Sequence, residues 1–250
     1  MSLTLINLID ELKQRVHGNP LPEDKYDFSQ LTYWFDSPNT DAPTITQMPP
    51  SMLNRIVYSN DTNINQSQTW TDTRTTTARK QIQLNQAVKH GGTLTMRIPL
   101  PLGVDSSLGR SMEISVSETN SQEESLTQTW TWQVPLTVLP HTRVEASLIL
   151  SRLSTSFHFT GYAYIRGIAK NKYRFFANES WLSWNIGQLF VPSPSFPLAR
   201  THPLVEVIDT TTIRSRIEGD FTGTNGSEYR IEVKQFDLDT DRLISENFIQ

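Results

Sequence analysis

Along residues 91–117, "GGTLTMRIPLPLGVDSSLGRSMEISVS", apolar side chains return at every second position. Leu94, Met96, Ile98, Leu100, Leu102 and Val104 fall on even numbers, with Thr93, Thr95 and Arg97 between them. After Gly103-Val104-Asp105-Ser106 the alternation resumes as Leu108, Met112, Ile114 and Val116 against Ser107, Ser111, Glu113, Ser115 and Ser117. A period of two predicts extended chain with one apolar and one polar face, here folded into a hairpin. Ile82, Leu84 and Val88 share the even parity, so the ascending arm starts near Ala78 and the hairpin covers 78–118. The alternation alone also fits a half-buried strand of an ordinary sandwich.

Elsewhere the pattern changes once to a helical period. Leu5, Ile6, Leu8, Ile9, Leu12 and Val16 predict an amphipathic helix behind a Ser2 or Thr4 cap, ended by Gly18-Asn19-Pro20. Residues 20–51, rich in Pro, Asp and turn residues around Tyr33-Trp34-Phe35, predict irregular chain with short strands. Beyond Asn54 nearly everything reads as strand. "NRIVYSNDTNINQSQTWTDTRTTTARKQIQLNQAVKH" is a polar, β-branched ribbon. A second ribbon, "ETNSQEESLTQTWTWQVPLTVLPHTRVEASLIL", places Trp130, Trp132, Val134, Leu136 and Val138 in alternation before a corner at Pro140. Residues 157–190 concentrate aromatic side chains, and "VPSPSFP" predicts a rigid connection after them. In the tail, Thr224-Asn225-Gly226-Ser227 predicts a hairpin turn. The fold class expected is mainly all-β: an elongated molecule of long antiparallel strands, with a short N-terminal helix and an aromatic-rich lobe.

Composition narrows the function. A formal charge of -4 and no basic run exclude nucleic acid as the main partner. No cysteine is present, which removes disulfides, thiol catalysis and thiolate metal sites. The opening residues lack a basic region and a small-residue cleavage site, so a Sec leader is not expected. No apolar run approaches the roughly 20 residues of a membrane-spanning helix. The five histidines stand singly, with no metal-ligand spacing, and no nucleophile or phosphate-binding motif occurs. Asp237, Asp239 and Asp241 imitate the start of a calcium loop, but Arg242 and Phe248 stand where Gly and Glu are required. The expectation is therefore a protein that is no enzyme and carries no cofactor, metal or catalytic residue. Four glycosylation-type triplets, at Asn60, Asn65, Asn178 and Asn225, are read as products of composition.

Three segments in order carry a resemblance: the polar ribbon "NDTNINQSQTWTDTRTTT", the amphipathic "TLTMRIPLPLGVDSSLGRSMEISVS" with proline near its tip, and "QTWTWQVPLTVLPHTRVEASLIL". The ending "YRIEVKQFDL" adds a closing strand. Together they resemble the aerolysin-type β-pore-forming toxins, in the branch of epsilon toxin, mosquitocidal toxins and aerolysin-like Bacillus crystal proteins. The resemblance is good over about 54–168 and looser elsewhere. It implies a soluble protein, stored in a parasporal inclusion, that binds a receptor on a target cell, assembles with copies of itself and inserts one hairpin per subunit into the membrane. Insecticidal action lies within its scope. It implies an elongated pore-forming module (54–156 and 206–250) and a receptor-binding lobe (1–53 and 157–205).

On that reading Leu94, Met96, Ile98, Leu100, Leu102, Val104, Leu108, Met112, Ile114 and Val116 face lipid. Thr93, Thr95, Arg97, Glu113, Ser115 and Ser117 face the pore lumen. Tyr33, Trp34, Tyr162, Tyr164, Tyr173, Trp181 and Trp184 are candidates for receptor contact, with a glycan, lipid or protein as the receptor, or form a core. Hiding seven of the hairpin's apolar side chains from water is worth roughly 10–20 kcal/mol, so the soluble form must keep them against its own body. Pro99 and Pro101 are awkward in a crossing strand because neither donates a ladder hydrogen bond. A different class stays open: a non-lytic carbohydrate-binding β protein using the same aromatics with Asn178, Glu179, Asn185 and Gln188. So does an inert structural sandwich.

Overall fold

The computed structural model describes residues 2–4, 25–89, 95–101, 104, 108–115, 121–175, 178–191 and 203–249. The predicted helix over 5–16 and the connection at 191–197 lie outside these residues, apart from Val191. Thirteen strands make up the described chain: β1 (Ser2–Thr4), β2 (Lys25–Phe35), β3 (Asn39–Thr40), β4 (Thr44–Asn60), β5 (Gln66–Lys89), β6 (Thr95–Pro99), β7 (Ser111–Ser115), β8 (Ser121–Val138), β9 (Thr142–Phe175), β10 (Asn178–Asn185), β11 (Val205–Asp209), β12 (Thr212–Asp237) and β13 (Leu243–Ile249). A 3-10 turn at Ile186–Phe190 follows β10. The fold is all-β, as the alternation predicts. Residues 25–60 form longer strands than their proline content suggests, because β2 and β4 both pair along β9 and their prolines fall at the register shifts and strand ends.

Two strands form the spine. β9, 34 residues long, pairs antiparallel with β12 from Thr142↔Asp237 to Arg166↔Thr212. Around them lies an eleven-stranded sheet in which β5 joins β12 to β8, while β2, β3, β4 and β10 line the other side of β9. The predicted corner at Pro140 is the turn between β8 and β9. Strand β9 continues across residue 157, and β4 continues across residue 53 with a shift of register between Met52 and Asn54.

The predicted turn at Thr224–Ser227 is not a turn. β12 passes straight through it, and the register against β9 slips by one residue between Gly226↔Arg152 and Glu228↔Ser151. Asn-Gly here builds a β-bulge, the other structure its backbone freedom favours. The Gly226 N–H, turned away from the ladder, donates to Gln128 Oε1 at 3.1 Å. A hairpin would have required β12 to leave β9, forfeiting the pairing that runs on for ten more residue pairs.

The bulge explains where the cores sit. β9 buries Val144, Ala146, Leu148 and Leu150 in its first part, then Phe157, Phe159, Ala163, Ile165 and Ala169 further on. Even and odd residues of a regular strand lie on opposite faces, so the ribbon buries one face at its start and the other beyond the bulge. The first core packs Trp70, Trp132, Val134, Leu136, Val138 and Ile231 against β9. The second contains Ile82, Leu84, Phe157, Phe159, Ile217 and Phe221, and a third, smaller one gathers Leu31, Ile165, Ile186, Phe190 and Val205. Asn60, the first glycosylation-type asparagine, is fully buried and closes the β4–β5 loop. Its amide donates to Ile64 O and Val138 O at 2.8 and 2.9 Å while its oxygen accepts from Thr62.

At Gly226 an added methyl group would stand 2.9 Å from Trp130 and 3.1 Å from Leu150. Gly226→Ala is therefore expected to lower stability by about 1–3 kcal/mol through overpacking, read as a fall in the urea midpoint.

Candidate functional site

The amphipathic segment forms a sheet of its own. β6 and β7 pair as Thr95↔Ser115, Met96↔Ile114, Arg97↔Glu113, Ile98↔Met112 and Pro99↔Ser111, separate from the eleven-stranded sheet. Beyond Pro99 the Leu100 N–H donates to Arg110 O at 3.0 Å. Even-numbered pairs therefore carry the hairpin's hydrogen bonds, and Pro99, on an odd pair, points its missing donor to the outer edge. That resolves the awkwardness of a proline in this strand: the inner ladder does not need its N–H.

The even face is the buried one. Met96, Ile98, Leu108, Met112 and Ile114 are each at most 1% exposed. Their socket is Ile82 and Leu84 of β5, Phe157, Phe159 and Ala163 of β9, and Ile217 and Phe221 of β12, with Phe157 and Phe221 stacked at 4.7 Å. Leu108 sits over Gly223, where an added Cβ would come within 3.0 Å of it. Burying these five side chains is worth roughly 7–15 kcal/mol. Among the described residues no backbone hydrogen bond joins the hairpin to the large sheet. Among those residues the contact is made by apolar side chains, on one face.

The odd face is wet. Thr95, Arg97 and Glu113 are exposed and Ser115 is half-buried. Leu100 and Val104 are half-buried; Leu94, Leu102, Val116, Thr93 and Ser117 lie outside the described residues. The structure thus brings together the described candidates for the two faces, and sorts them by parity.

The aromatic candidates divide. Tyr33 is half-buried against the small core, and burial pushes its phenol up to about 12. Trp34, 39% exposed, stacks on its cross-strand partner Tyr164 at 5.1 Å, and the Tyr164 hydroxyl donates to Asp36 Oδ2 at 2.7 Å. Arg214 lies over the Tyr162 ring at 4.2 Å and is held above its usual range by Glu206 and Tyr164. Trp181 is 49% exposed on β10 and Trp184 is half-buried; the Tyr173 side chain is outside the described set. Trp34 and Trp181 are therefore the open rings, and Tyr33 serves the core.

Sequence reasoning missed two features. Lys80 lies on the even face of β5, only 5% exposed, and pairs with Glu124 at 2.8 Å across to β8. A groove of about 590 Å³ lies between the hairpin and the end of β2, lined in part by Trp34, Asp36, Arg97 and Arg110. No local signal announces either, because the partners are more than forty residues apart. Near the socket, Asp220 is held below the usual carboxylate range by hydrogen bonds from Asn85 and then His158. Among the described residues no cluster of acidic or imidazole side chains is arranged to hold a metal ion.

No protein-family model matches the sequence, and no curated protein matches it. Solved structures do. A chain of the Cry23Aa1 and Cry37Aa1 binary protein complex matches all of this chain and 95% of its own length, with TM-score 0.61 at 18% identity. A non-toxic crystal protein from Bacillus thuringiensis matches with TM-score 0.57 at 16% identity, over 95% of this chain and 98% of its own. The Mpp75Aa1.1 beta-pore-forming protein from Brevibacillus laterosporus matches with TM-score 0.53 at 14% identity, over 99% of this chain and 95% of its own. The long β9–β12 ribbon, the strands along it and the hairpin docked on its flank thus build the aerolysin-like β fold of these bacterial crystal and β-pore-forming proteins.

Proposed function

We propose that this chain is a pore-forming toxin that binds a target cell membrane, assembles with copies of itself and inserts the β6–β7 hairpin of each subunit into a shared transmembrane barrel. The observation that carries this reading is the detached hairpin: an apolar face docked by side chains only, and a polar face already in water. A fold neighbour that is a non-toxic crystal protein makes the point that fold alone does not confer lysis. The hairpin's chemistry is the argument.

A lone hairpin cannot cross hydrocarbon, because its outer N–H and C=O groups would be unsatisfied at several kcal/mol each. Closure into a barrel of several subunits meets that requirement. The even stripe from Leu94 to Val104 spans eleven residues and that from Leu108 to Val116 spans nine, about the 9–11 residues of a tilted crossing strand. Between the β5–β8 ladder, ending at Gln83↔Ser121, and the β6–β7 ladder lie eleven residues on one arm and five on the other. The difference of six is even, so the two ladders can fuse into one long hairpin without moving any side chain to the other face. Lys80 and Glu124 share the inward parity and mark the stem that stays out of lipid, since a lysine at the bilayer midplane costs about 2–4 kcal/mol.

Receptor contact falls to the open rings, Trp34 and Trp181, with Tyr162 and Tyr164 beside Trp34. The receptor is a glycan, lipid or protein on the cell surface. The protein is stored in a crystalline inclusion and acts outside the producing cell, in line with crystal proteins of the same fold. Its insecticidal range belongs to the same proposal. Residues 1–53 and 157–205 form the binding lobe on this reading, and residues 54–156 and 206–250 the pore module. The same exposed aromatics suit a carbohydrate-binding protein that never inserts, and vesicle leakage separates the two.

Mixing the protein with dye-loaded liposomes bearing extracts of target membrane is expected to release dye and leave a detergent-resistant oligomer; a protein that binds but releases nothing is a lectin. Glu113→Lys, on the exposed odd face, is expected to leave folding and leakage intact and to move the reversal potential of single channels toward anion selectivity. Phe157→Leu trims the socket without touching the hairpin. It should lower the stability of the soluble form by about 1–2 kcal/mol and speed dye release, measured as the lag before leakage.

A further inference from the structure

Four of the seven residues of β13 are large apolar side chains left open to water: Leu243, Ile244, Phe248 and Ile249, from 37 to 55% exposed. Edge strands are commonly blunted by charge or proline, and an edge this apolar marks a surface for contact. β13 lies along Ile231–Phe236 of β12, and those residues pair in turn with Leu148–Arg143 of β9. On the other side of the same stretch of β9 runs β4, whose Asn54–Asn60 pairs without a register shift against Leu148–Thr142. The order here is β4-β9-β12-β13, and among the described residues β4 pairs only with β9 and β13 only with β12. Two free edges, each seven residues long, therefore stand level on opposite flanks of one four-stranded sheet.

Cross-strand partners share a face, so the register gives the rows of this sheet. One row is Val57, Glu145, Lys234 and Glu246; beside it run Arg55, Ser147, Glu232 and Phe248, and on its other side Ser59, Arg143, Phe236 and Leu243. In the middle of the face the charges are matched: Arg55 and Arg143 reach Glu145, and Lys234 reaches Glu232 at 3.1 Å and Glu246 at 3.5 Å. The rims are apolar. Val57 and Met52, 49 and 59% exposed, stand on the β4 edge, with Leu243 and Phe248 on the β13 edge. Each rim also carries a single charge, and the two are opposite in sign: Arg55 on β4 and Glu246 on β13, with 48 and 39% of their side chains still open.

All three pairings are antiparallel, and with four strands the outer two run in opposite directions. Two copies in the same orientation, as copies on one membrane are, can therefore join β13 of one to β4 of the next as a further antiparallel pair. Such a contact uses two different patches, so it repeats head to tail and generates a ring when the rotation per copy closes. Without stagger, Glu246 of one copy falls opposite Val57 and diagonal to Arg55 of the next, while the Phe248 ring falls opposite Arg55.

We propose that β13 of one copy pairs with residues 54–60 of β4 in the next, and that this ladder is the surface through which the chain assembles with itself. It names the subunit contact of the pore-forming reading and rests on that reading. A membrane supplies what the edges lack in solution, a common orientation and a raised local concentration.

The chain has no cysteine, so introduced thiols report the contact cleanly. The test is oxidation of Val57→Cys combined in turn with Leu243→Cys, Glu246→Cys or Phe248→Cys on dye-loaded liposomes bearing extracts of target membrane; the three choices cover neighbouring staggers on one face. At least one pair is expected to give a ladder of disulfide-linked multimers on non-reducing gels, while each single variant stays monomeric. Phe248→Ser should slow dye release at least about tenfold with liposome binding and melting unchanged, and Ile208→Ser, at an open apolar position on β11, should not. Dimers from a single variant would reveal a two-fold contact and overturn the head-to-tail pairing. An assembly that releases dye yet yields no cross-link from any pair, or undiminished release by Phe248→Ser, overturns the interface and leaves the pore-forming reading standing. A parent protein that neither assembles nor releases dye on any membrane overturns that reading, and the interface with it.

Discussion

The whole arrangement depends on a surface of aromatic rings that holds the hairpin by apolar contact, with no main-chain hydrogen bond between the two among the described residues. Phe157, Phe159 and Phe221 form that surface, and Met96, Ile98, Met112 and Ile114 are pressed onto it. Apolar contact has no preferred direction and no partner atoms to exchange, so another apolar medium can replace it at little net cost. Had β6 or β7 been laced into β5 or β12 by main-chain bonds, each bond would have had to break before its replacement formed. The cooperative unit here is small and sits outside the main ladder, where local opening is cheapest.

The spine has the opposite character. β9 and β12 stay paired along nearly their full length, and the one-residue bulge at Gly226 lets a single ribbon bury opposite faces at its two ends. On β9 the Trp70 and Trp132 core therefore takes one face and the hairpin socket the other, while on β5 both share the even face, with Trp70 toward one end and Ile82 and Leu84 toward the other.

Much of this was legible in the residues. Alternation from Leu94 to Val116 named the hairpin and the parity of its buried face, because strand geometry allows only two faces. The corner at Pro140 was legible for the same local reason. The Asn225-Gly226 turn was misread, since a bulge and a turn ask for the same permissive backbone and only the partner strand decides between them. Tyr33 and Trp34, adjacent in sequence, were read together and differ in exposure, Tyr33 packing on the small core and Trp34 lying open, because neighbours on a strand face opposite ways. Arg110 and Asp36 carried no signal at all: they line one groove only because the end of β2 and the hairpin, about sixty residues apart along the chain, come together.

Pro99 has a consequence for the exposed edge of the hairpin. A hairpin whose inner ladder is complete still offers its outer edge to any extended strand it meets. Placing a residue that cannot donate on that edge removes one rung from every wrong pairing while leaving the hairpin itself intact. In a barrel of the kind proposed above, the same missing rung would recur once per subunit at the seam between neighbours, so the residue that guards the edge of the docked hairpin would also thin the seam of the inserted one.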